Sequence, residues 1–534
     1  MKETRIWIVA DRQYRGYERL RVKIMKISEL LQRIDYMVLQ GNLSDEVMGI
    51  CHDNRMIQEG DAFICISGAR FDTHTMAKEL AKKAALLVVE KPVELEDGCK
   101  TAVVQVASTR DIVAALAAAF YGYPSEKMVC IGITGSKGKT TCTHMMADIL
   151  RAAGYLTGTI GTNGAIMPAG CDHAVWGSDK YSCAPCNETP GYDCYELNNT
   201  TPDPMELQMY LAMMVKAGCT HVVLEVSSQG MKQKRVATVD FAYAVWTNIE
   251  TGDHIGPNEH KDFEEYLYCK AMLLNQSRRA YVNCDDRHLD AFMKYVTLSD
   301  GLDGRTKQVF YYGEGEKADY RIGNLKKSQN GVLEAPGIEF TMSGALDADI
   351  RVNLPGDFNM YNAAAAVAIA HDMGISTDII NKGLTHLRIR GRFDIVFNNG
   401  HFAVCVDFAH NGYSTRNHLE ALREYHPKRI VCVFGADGNR SKYRRYEMGE
   451  AVGNLAELAI VTSDNPRTED VMDIVKDIEV GLAKTNGEYV VIPDRQEAVN
   501  YAVDHAEDGD MIILLGKGHE EYQEINGVKY HYSE

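Results

Sequence analysis

The chain has 534 residues, of which 45% are hydrophobic and 25% charged, so it is long enough for about three globular domains. Its formal net charge of −17 argues against a nucleic-acid-binding protein, because such proteins carry a basic surface. No apolar stretch is long enough for a membrane-spanning helix or a signal peptide core, so we expect a cytoplasmic protein without a membrane partner. We also expect a monomer.

The N-terminal part of the chain predicts an extension followed by a small α/β domain. Residues 1–25 show little periodicity and are assigned to the extension. Apolar residues at helical spacing predict a helix from Lys26 to Leu39, and short strands and turns follow it. An alanine-rich helix over Met76–Ala85 leads into a strand over Leu86–Glu90. We therefore place a first domain at residues 26–125, which ends in a turn rich in glycine and proline.

The stretch that follows predicts a strand, a glycine-rich turn and a helix. The apolar run Met128–Thr134 indicates a buried strand, and helical spacing of apolar residues begins at Thr140. Between them, backbone N–H groups unobstructed by side chains can close on a phosphate, and the helix N-terminus adds partial positive charge. Lys139 can reach the β- and γ-phosphates of a nucleotide, and the Thr140 hydroxyl can bind Mg²⁺. The alternative, a glycine turn before an ordinary helix, is disfavoured by this Lys-Thr pair.

The spacing of this loop resembles a known family of ligases. The strict Gly-x4-Gly-Lys-Thr pattern fails at Ile133, but Thr-Gly-x-x-Gly-Lys-Thr-Thr remains over Thr134–Thr141. That variant is similar to the Mur ligase and folylpolyglutamate synthase superfamily, which joins carboxylates to amines with ATP. The resemblance implies that Lys139, Lys270 and Arg392 are catalytic. It also implies an ATP site made of Gly135, Ser136, Lys137, Gly138, Lys139, Thr140, Thr141, Asn362 and Arg392.

The resemblance also implies the fold. It predicts an α/β protein with the three-domain Mur ligase architecture. The small N-terminal domain would bind a uridine nucleotide. A central phosphate-loop ATPase domain with a mostly parallel sheet would occupy residues 126–386, and a Rossmann-like domain that binds an amino acid would occupy residues 387–534.

Motifs after the phosphate loop are typical of the tripeptide synthetase branch of this family. They are Thr200-Thr201-Pro202-Asp203, Glu225-Val226-Ser227-Ser228 and Gln233-Lys234-Arg235, although Gln229 stands where the family has histidine. An exposed arginine such as Arg55 can instead be merely solvated. The residues implied to contact a UDP-MurNAc-dipeptide are Arg55, His74, Thr200, Thr201, Ser227, Gln233 and Arg235.

The same resemblance implies a magnesium site. Its ligands would be Thr140, Glu225, His254 and Lys270. In the family the matching lysine is carbamylated, which turns a cation into an anion that can hold Mg²⁺. The alternative for Lys270 is an ordinary helix lysine on a solvated face.

A segment between the phosphate loop and these motifs has no apolar period and is predicted to be a surface loop or hairpin. It contains four cysteines at Cys171, Cys183, Cys186 and Cys194. Only one pair has the close C-x2-C spacing, so both a zinc site and a set of free thiols remain open.

Beyond a boundary at Thr385–Arg392, strands and helices alternate, which predicts a doubly wound parallel sheet. The predicted strands are Phe402–Phe408, Ile430–Gly435, Leu458–Thr462 and Met511–Leu515. The predicted helices are Ser414–Glu424, Arg444–Leu455, Val471–Leu482 and Gln496–Ala506. Alternation alone says little about function, because many unrelated domains share it.

Two loops after predicted strands resemble the branch that adds meso-diaminopimelate. Ser463-Asp-Asn-Pro-Arg467 follows one strand and Gly516-Lys-Gly-His-Glu520 follows the last. Diaminopimelate carries a distal carboxylate that lysine lacks, and arginines offer planar paired donors for carboxylates. A helix-capping role would explain Asp464 but not Arg467. The implied diaminopimelate contacts are Arg440, Asp464, Asn465, Arg467, Gly516 and Glu520.

The resemblance therefore implies an ATP- and Mg²⁺-dependent amide ligase of peptidoglycan precursor synthesis, which adds meso-diaminopimelate to UDP-MurNAc-L-Ala-D-Glu through an acyl phosphate. Asn439, Ser441 and Tyr443 depart from the family pattern. They leave open a paralogous ligase that uses another amine, such as L-lysine, or another acceptor. A non-catalytic nucleotide-binding protein on the same scaffold is the alternative from a different class. Amine-dependent release of phosphate separates the ligases from it.

Overall fold

The computed structural model describes residues 24–68, 71–170, 183–186, 189–251, 254–256, 259–297, 307–327 and 337–534. These residues form two compact units. The first unit extends to Thr143 and also contains residues 154–282 and 286–310, and the second contains residues 144–153, 283–285 and 311–534. The predicted extension, except Ile24 and Met25, lies outside the described residues, as do Cys171 and the side chain of Cys183.

The first unit begins with a small α/β layer. Its elements are β1 (Met25–Lys26), α1 (Ile27–Leu30), β2 (Met37–Gln40), β3 (Glu46–Val47), β4 (Gly49–Cys51), β5 (Asp61–Ile64), α2 (Ala77–Leu80), β6 (Leu86–Val89), β7 (Ala102–Gln105) and α3 (Thr109–Tyr121). A five-stranded sheet has the order β2-β7-β6-β5-β4, and only β2 is antiparallel to its neighbour. Leu87 and Val89 alternate into a core with Phe63 and Leu80, which explains why the strands here are short apolar runs.

The helix predicted over Lys26–Leu39 is wrong in most of its length. Only α1 is helical in this stretch, and the segment that follows becomes β2. Met37 pairs with Gln105 and Val38 with Val104, so partners distant in sequence determine the conformation. The run Tyr36-Met-Val-Leu39 contains good strand formers, and strand pairing outweighs the helical spacing before it.

The central part of the chain is built on a mostly parallel sheet. Its elements are β8 (Val129–Thr134), α4 (Lys139–Ala152), β9 (Thr157–Gly161), β10 (Gly164–Pro168), β11 (Cys183–Pro185), β12 (Tyr192–Tyr195), α5 (Pro204–Lys216), β13 (His221–Glu225), α6 (Ser228–Lys232), β14 (Phe241–Trp246), α7 (Phe263–Asn275), β15 (Ser277–Asn283), α8 (Leu289–Met293), β16 (Gln308–Gly313), β17 (Tyr320–Lys327), β18 (Ile338–Gly344), β19 (Ala348–Val352), α9 (Phe358–Asp372) and α10 (Thr377–Thr385).

Strand β8 lies in the middle of this sheet. In the first unit the strands follow the order β11-β12-β10-β9-β13-β8-β14-β15, and β9, β13, β8, β14 and β15 are parallel. The segment predicted as a surface loop or hairpin forms a hairpin of β11 and β12, which pair antiparallel, but Asp193 and Tyr195 of β12 are buried, so it is not wholly at the surface. Because parallel strands end at the same edge, the residues after β8 and β13 are brought together there.

The second unit contains a separate six-stranded sheet. Its remaining elements are β20 (Asp394–Asn398), β21 (Ala403–Asp407), α11 (Gly412–Arg423), β22 (Arg429–Phe434), α12 (Lys442–Leu455), β23 (Leu458–Val461), α13 (Val471–Leu482), β24 (Glu488–Val491), α14 (Arg495–Asp504), β25 (Asp510–Leu515), β26 (Tyr522–Ile525) and β27 (Val528–His531). The order is β20-β21-β25-β22-β23-β24, and all pairs except β20 with β21 are parallel. The predicted doubly wound sheet is confirmed, and the sequence analysis missed β20, β24 and the hairpin of β26 and β27.

In the described part of the chain, no helix combines the length and the apolar character needed to cross a lipid bilayer.

Lys307 in the first unit is a buried cation that should destabilise the fold. Lys307 is 7% exposed, and its Nζ donates one hydrogen bond, 3.3 Å long, to Asn275 Oδ1. Burial lowers the pKa of Lys307 to about 8. Since the charged form is disfavoured in the folded state, the unfolding free energy should fall as the pH drops from about 10.5 towards 8.

We expect Lys307→Met to raise the unfolding free energy at pH 7 by about 1–3 kcal/mol, because it removes the buried charge while filling the same space. Thermal or urea unfolding at pH 7 and pH 10 measures the effect. Lys294→Met, at an exposed position, is the control and should change stability little. A variant less stable than the wild type at pH 7 would contradict the argument.

Candidate functional site

The predicted phosphate loop has the backbone geometry that such a loop requires. Gly135 and Gly138 have φ of 156° and 83°, a region that side chains other than glycine rarely adopt. A Cβ atom at Gly135 would lie 1.9 Å from Thr247 Oγ1, so the loop passes too close to β14 for any larger residue. Helix α4 begins at Lys139, directly after the loop. Strand, glycine loop and helix therefore occur as predicted.

Lys139 folds back over the loop. Its Nζ donates to the carbonyl oxygens of Gly135 and Ser136, at 2.8 and 3.2 Å. The backbone N–H of Lys137 donates to Asn248 Oδ1 at 2.9 Å, which holds the loop from the neighbouring strand end. The loop is thus supported on both sides, and its lysine lies where a phosphate oxygen would attract it.

Glu225 lies at the end of β13 beside the start of α4. The residue is 2% exposed, and its carboxylate accepts hydrogen bonds from Thr140 Oγ1 at 3.0 Å and from Thr162 N at 2.9 Å. Oxygen atoms of Glu225 and Thr140 are thus adjacent at the helix N-terminus. One carboxylate and one hydroxyl fit Mg²⁺, which binds few protein oxygens and completes its shell with phosphate and water. Among the described residues, no three or more His, Cys, Asp or Glu side chains form a metal-binding group.

Lys270 is buried and not on a solvated face. Lys270 is 1% exposed. Its Nζ donates to the Gly135 carbonyl at 2.7 Å and lies 4.7 Å from the centroid of the Tyr266 ring. The Tyr266 hydroxyl in turn lies 2.9 Å from Ser136 Oγ. The ordinary-helix alternative for Lys270 is therefore wrong. His254 is half exposed, has φ of 55°, and its Nδ1 lies 3.2 Å from Glu259 Oε1, so its role as a metal ligand stays a prediction.

The residues predicted for the sugar-nucleotide substrate form one cluster after β13. Thr201 Oγ1 donates to the Glu225 carbonyl at 2.9 Å and accepts from the Ser227 N–H at 2.9 Å. Arg235 Nη1 donates to the Thr201 carbonyl at 2.6 Å, and Arg235 Nη2 donates to Gln233 Oε1 at 2.7 Å. The hydroxyl of Thr200 lies 3.1 Å from that of Thr162. The tertiary structure therefore joins residues that three separate motifs contribute.

Arg55 and His74 differ in their contacts from the residues of this cluster. The Arg55 side chain is 75% exposed and its Nη2 lies 2.7 Å from Asp53 Oδ2. The His74 side chain is 2% exposed; its Nδ1 lies 2.7 Å from Asp72 Oδ1, and its Nε2 accepts from the Glu90 N–H at 3.1 Å. In this arrangement both ring nitrogens of His74 are used inside the fold, which favours a supporting role over a direct contact.

In the second unit, Arg392 and Asn362 each make a hydrogen bond within their own segment of the chain. Arg392 Nη1 donates to the Gly391 carbonyl at 2.9 Å, and its guanidinium carbon lies 4.9 Å from the centroid of the Phe408 ring. Asn362 is 5% exposed and donates to Asn359 Oδ1 at 3.0 Å. Their predicted contacts with a nucleotide stay predictions.

The loops after β23 and β25 meet around Lys517, a residue that the sequence analysis did not assign. Lys517 is fully buried, and its Nζ lies 2.6 Å from Asn465 Oδ1, 3.1 Å from Asp464 Oδ1 and 3.4 Å from Glu520 Oε2. Asn465 Nδ2 donates to Glu520 Oε2 at 3.0 Å. Four residues of the two predicted loops are therefore held in one network. The lysine within the Gly516–Glu520 motif was the available signal.

Arg467 and Arg440 border this network. The Arg467 side chain is 22% exposed, has φ of 53°, and its Nη2 lies 3.3 Å from Asp437 Oδ2. Arg440 is more exposed, at 52%, and its Nε lies 3.9 Å from the same oxygen. Burial, and then the carboxylate of Asp464, raise the pKa of Asp437 to about 6. This acid in the loop after β22 was also missed.

The chain is similar to known proteins along most of its length. Residues 133–370 match the Mur ligase middle domain and residues 391–518 match the Mur ligase glutamate ligase domain. The chain is 32% identical over 513 residues to the UDP-N-acetylmuramoyl-L-alanyl-D-glutamate–2,6-diaminopimelate ligase of Clostridium perfringens, covering 96% of this chain and 98% of that protein.

Two solved structures resemble most of the chain. One, of a UDP-N-acetylmuramoyl-L-alanyl-D-glutamate–2,6-diaminopimelate ligase, has a TM-score of 0.64 at 25% identity and covers 96% of this chain and 97% of that one. Another, of the MurF ligase from Thermotoga maritima in complex with ADP, has a TM-score of 0.55 at 18% identity and covers 87% of this chain and 93% of that one. The second likeness concerns the fold alone.

Proposed function

The chain belongs to the Mur ligase family, and we propose that it uses ATP to join meso-diaminopimelate to UDP-MurNAc-L-Ala-D-Glu. The observation that carries the proposal is the network around Lys517, where Asn465, Glu520 and Arg467 provide acceptors for an ammonium and a planar donor for a carboxylate. The named activity of the relatives with similar sequences supports the same substrates. We also propose that the enzyme acts as a cytoplasmic monomer.

The reaction has two steps. A carboxylate oxygen of the acceptor forms a bond to the γ-phosphorus of ATP while the bond to the β,γ-bridging oxygen breaks, which gives an acyl phosphate and ADP. The amine nitrogen then attacks the acyl carbon, inorganic phosphate leaves with its electron pair, and the amine loses a proton to solvent. Both steps depend on positioning and on neutralising phosphate charge rather than on a protein nucleophile.

Residues of the phosphate loop position the nucleotide and neutralise its phosphate charge. The ammonium of Lys139 exchanges the carbonyls of Gly135 and Ser136 for β- and γ-phosphate oxygens, and the loop N–H groups bind the same phosphates. Glu225 and the Thr140 hydroxyl, with Lys270 and His254 as further candidates, would hold Mg²⁺. The ion would supply positive charge to the phosphates. Arg392 is proposed to add a second cation at the transferred phosphate.

The acceptor and the amine are bound by the two remaining clusters. Thr200, Thr201, Ser227, Gln233 and Arg235 supply hydroxyl, amide and guanidinium groups for the acceptor. Glu520 and Asn465 accept from the distal ammonium of the amine, while Arg467 and Arg440 face its distal carboxylate.

A panel of amines tests the proposed function. With purified enzyme, ATP, Mg²⁺ and UDP-MurNAc-L-Ala-D-Glu, we expect phosphate release only when an amine is added, and meso-diaminopimelate should give a higher kcat/KM than L-lysine or L-alanine. L-alanine is the control because it lacks both distal groups.

The outcomes separate the alternatives. Turnover with another acceptor but not with this one would indicate a paralogous ligase. If ATP binds but no phosphate is released with any amine, whether the acceptor is UDP-MurNAc-L-Ala-D-Glu or another one, the protein is a non-catalytic homologue.

A further inference from the structure

The arginines proposed to bind the substrate's distal carboxylate already face a carboxylate of the protein. Asp437 Oδ2 lies 3.3 Å from Arg467 Nη2 and 3.9 Å from Arg440 Nε. Arg467 is further engaged by Glu524, whose Oε2 lies 3.4 Å from its Nε, and by the Gly438 carbonyl, which accepts from Nη1 at 3.3 Å. A substrate without a distal carboxylate therefore does not leave Arg467 unpaired.

The position of Asp437 is fixed by a buried anchor. Arg445 is 1% exposed, and its Nη2 donates to the Asp437 carbonyl at 3.0 Å. Its guanidinium also contacts Glu469 at 2.9 Å and Asp477 at 2.8 Å. The next residue, Gly438, donates its N–H to the Asn465 carbonyl at 2.8 Å. The peptide group between Asp437 and Gly438 is thus held at both its carbonyl and its N–H, the latter against the loop of Arg467.

The charged groups around this site show how Asp437 affects the binding of a substrate's distal carboxylate. The carboxylates are Asp437, Asp464, Glu520 and Glu524, and the cations are Arg440, Arg467 and Lys517. A substrate carboxylate that approaches Arg467 must compete with Asp437, which would then keep only its longer contact with Arg440. The gain from the distal carboxylate is then smaller than in a site whose arginine has no partner within the protein.

We propose that Asp437 is a specificity-determining residue that takes the place of the substrate's distal carboxylate at Arg467 and so lets this enzyme also use basic amino acids without that group. The inference rests on the proposed function. It predicts that L-lysine is a poorer substrate than meso-diaminopimelate by about 10- to 100-fold. A site built for the missing group would reject it by about 10⁴-fold.

Asp437→Asn and Asp437→Ser test this role, because each removes the carboxylate that competes with the substrate at Arg467, while the contacts of Arg467 with Glu524 and the Gly438 carbonyl remain. The ratio of kcat/KM for meso-diaminopimelate to that for L-lysine should rise by about 10- to 100-fold in both variants, and the change should lie in the KM for the amine, with the KM for ATP unchanged. Asp473→Asn is the control. Asp473 is an exposed carboxylate on α13 whose Oδ1 accepts from Lys476, and its replacement should leave the ratio unchanged.

A ratio that stays constant or falls in both variants would overturn the role of Asp437, and so would a wild-type enzyme that rejects L-lysine by about 10⁴-fold. The wild-type measurement can overturn the proposal even if neither variant folds. Failure of the proposed function looks different, because the wild-type enzyme would then release no phosphate with either amine.

Discussion

Replacing Lys139 by alanine is expected to lower amine-dependent phosphate release by at least about 10³-fold. The Lys139 ammonium lies over the glycine loop, 2.8 Å from the Gly135 carbonyl, at the beginning of α4. In the reaction it would neutralise charge on the β- and γ-phosphates, and alanine leaves that charge without compensation. Steady-state phosphate release at saturating ATP, together with nucleotide binding by calorimetry, measures the loss.

The fold should survive this substitution, because Lys139 is partly exposed at the surface of the loop. Circular dichroism and the melting temperature check this point. Lys127→Ala, at an exposed lysine just before β8, is the matched control and should retain activity. Near-native phosphate release by Lys139→Ala would contradict the assignment of the phosphate loop.

The second large effect is expected at Lys270, where alanine should reduce activity by about 10²-fold or more. Lys270 is buried, with its Nζ 2.7 Å from the Gly135 carbonyl, so it supports the loop that binds phosphate. We also propose that Lys270 is carbamylated in the working enzyme, since its nitrogen can react with carbon dioxide to give an anionic carbamate and a proton. An anion at this place could contribute to a Mg²⁺ site near Glu225.

Two measurements separate these roles. If a carbamate is needed, short carboxylates such as acetate should partly restore the activity of Lys270→Ala, whereas a lysine that only supports the loop would show no such rescue. Lys261→Ala, at an exposed lysine directly before α7, is the control. An unmodified ammonium at Lys270 in a nucleotide-bound structure would count against carbamylation.

The sequence by itself determined the features that depend on neighbours along the chain. The strand, glycine turn and helix around Lys139 were predicted correctly, because apolar periodicity and the freedom of glycine act over a few residues. The alternation of strands and helices in the last part of the chain was predicted for the same reason. The motifs also predicted loops that carry chemistry, and those at Ser463 and Gly516 follow the ends of β23 and β25.

The tertiary structure alone decided the features that depend on partners distant in sequence. The stretch before Gln40 forms β2 because β7 pairs with it, although its earlier residues have helical spacing. His74 has its ring nitrogens bound to Asp72 and Glu90, which sequence spacing could not reveal.

The ion pairs in the proposed amino-acid site likewise could not be predicted from the sequence. Asp437 and Lys517 lie 80 residues apart, yet both belong to the network that contains the loop of Arg467. A sequence names the arginine that can bind a carboxylate, but only the folded chain shows that one of its own carboxylates is already there. The strength of an ion pair depends on distance and burial, and both are set by the packing of loops from different strands.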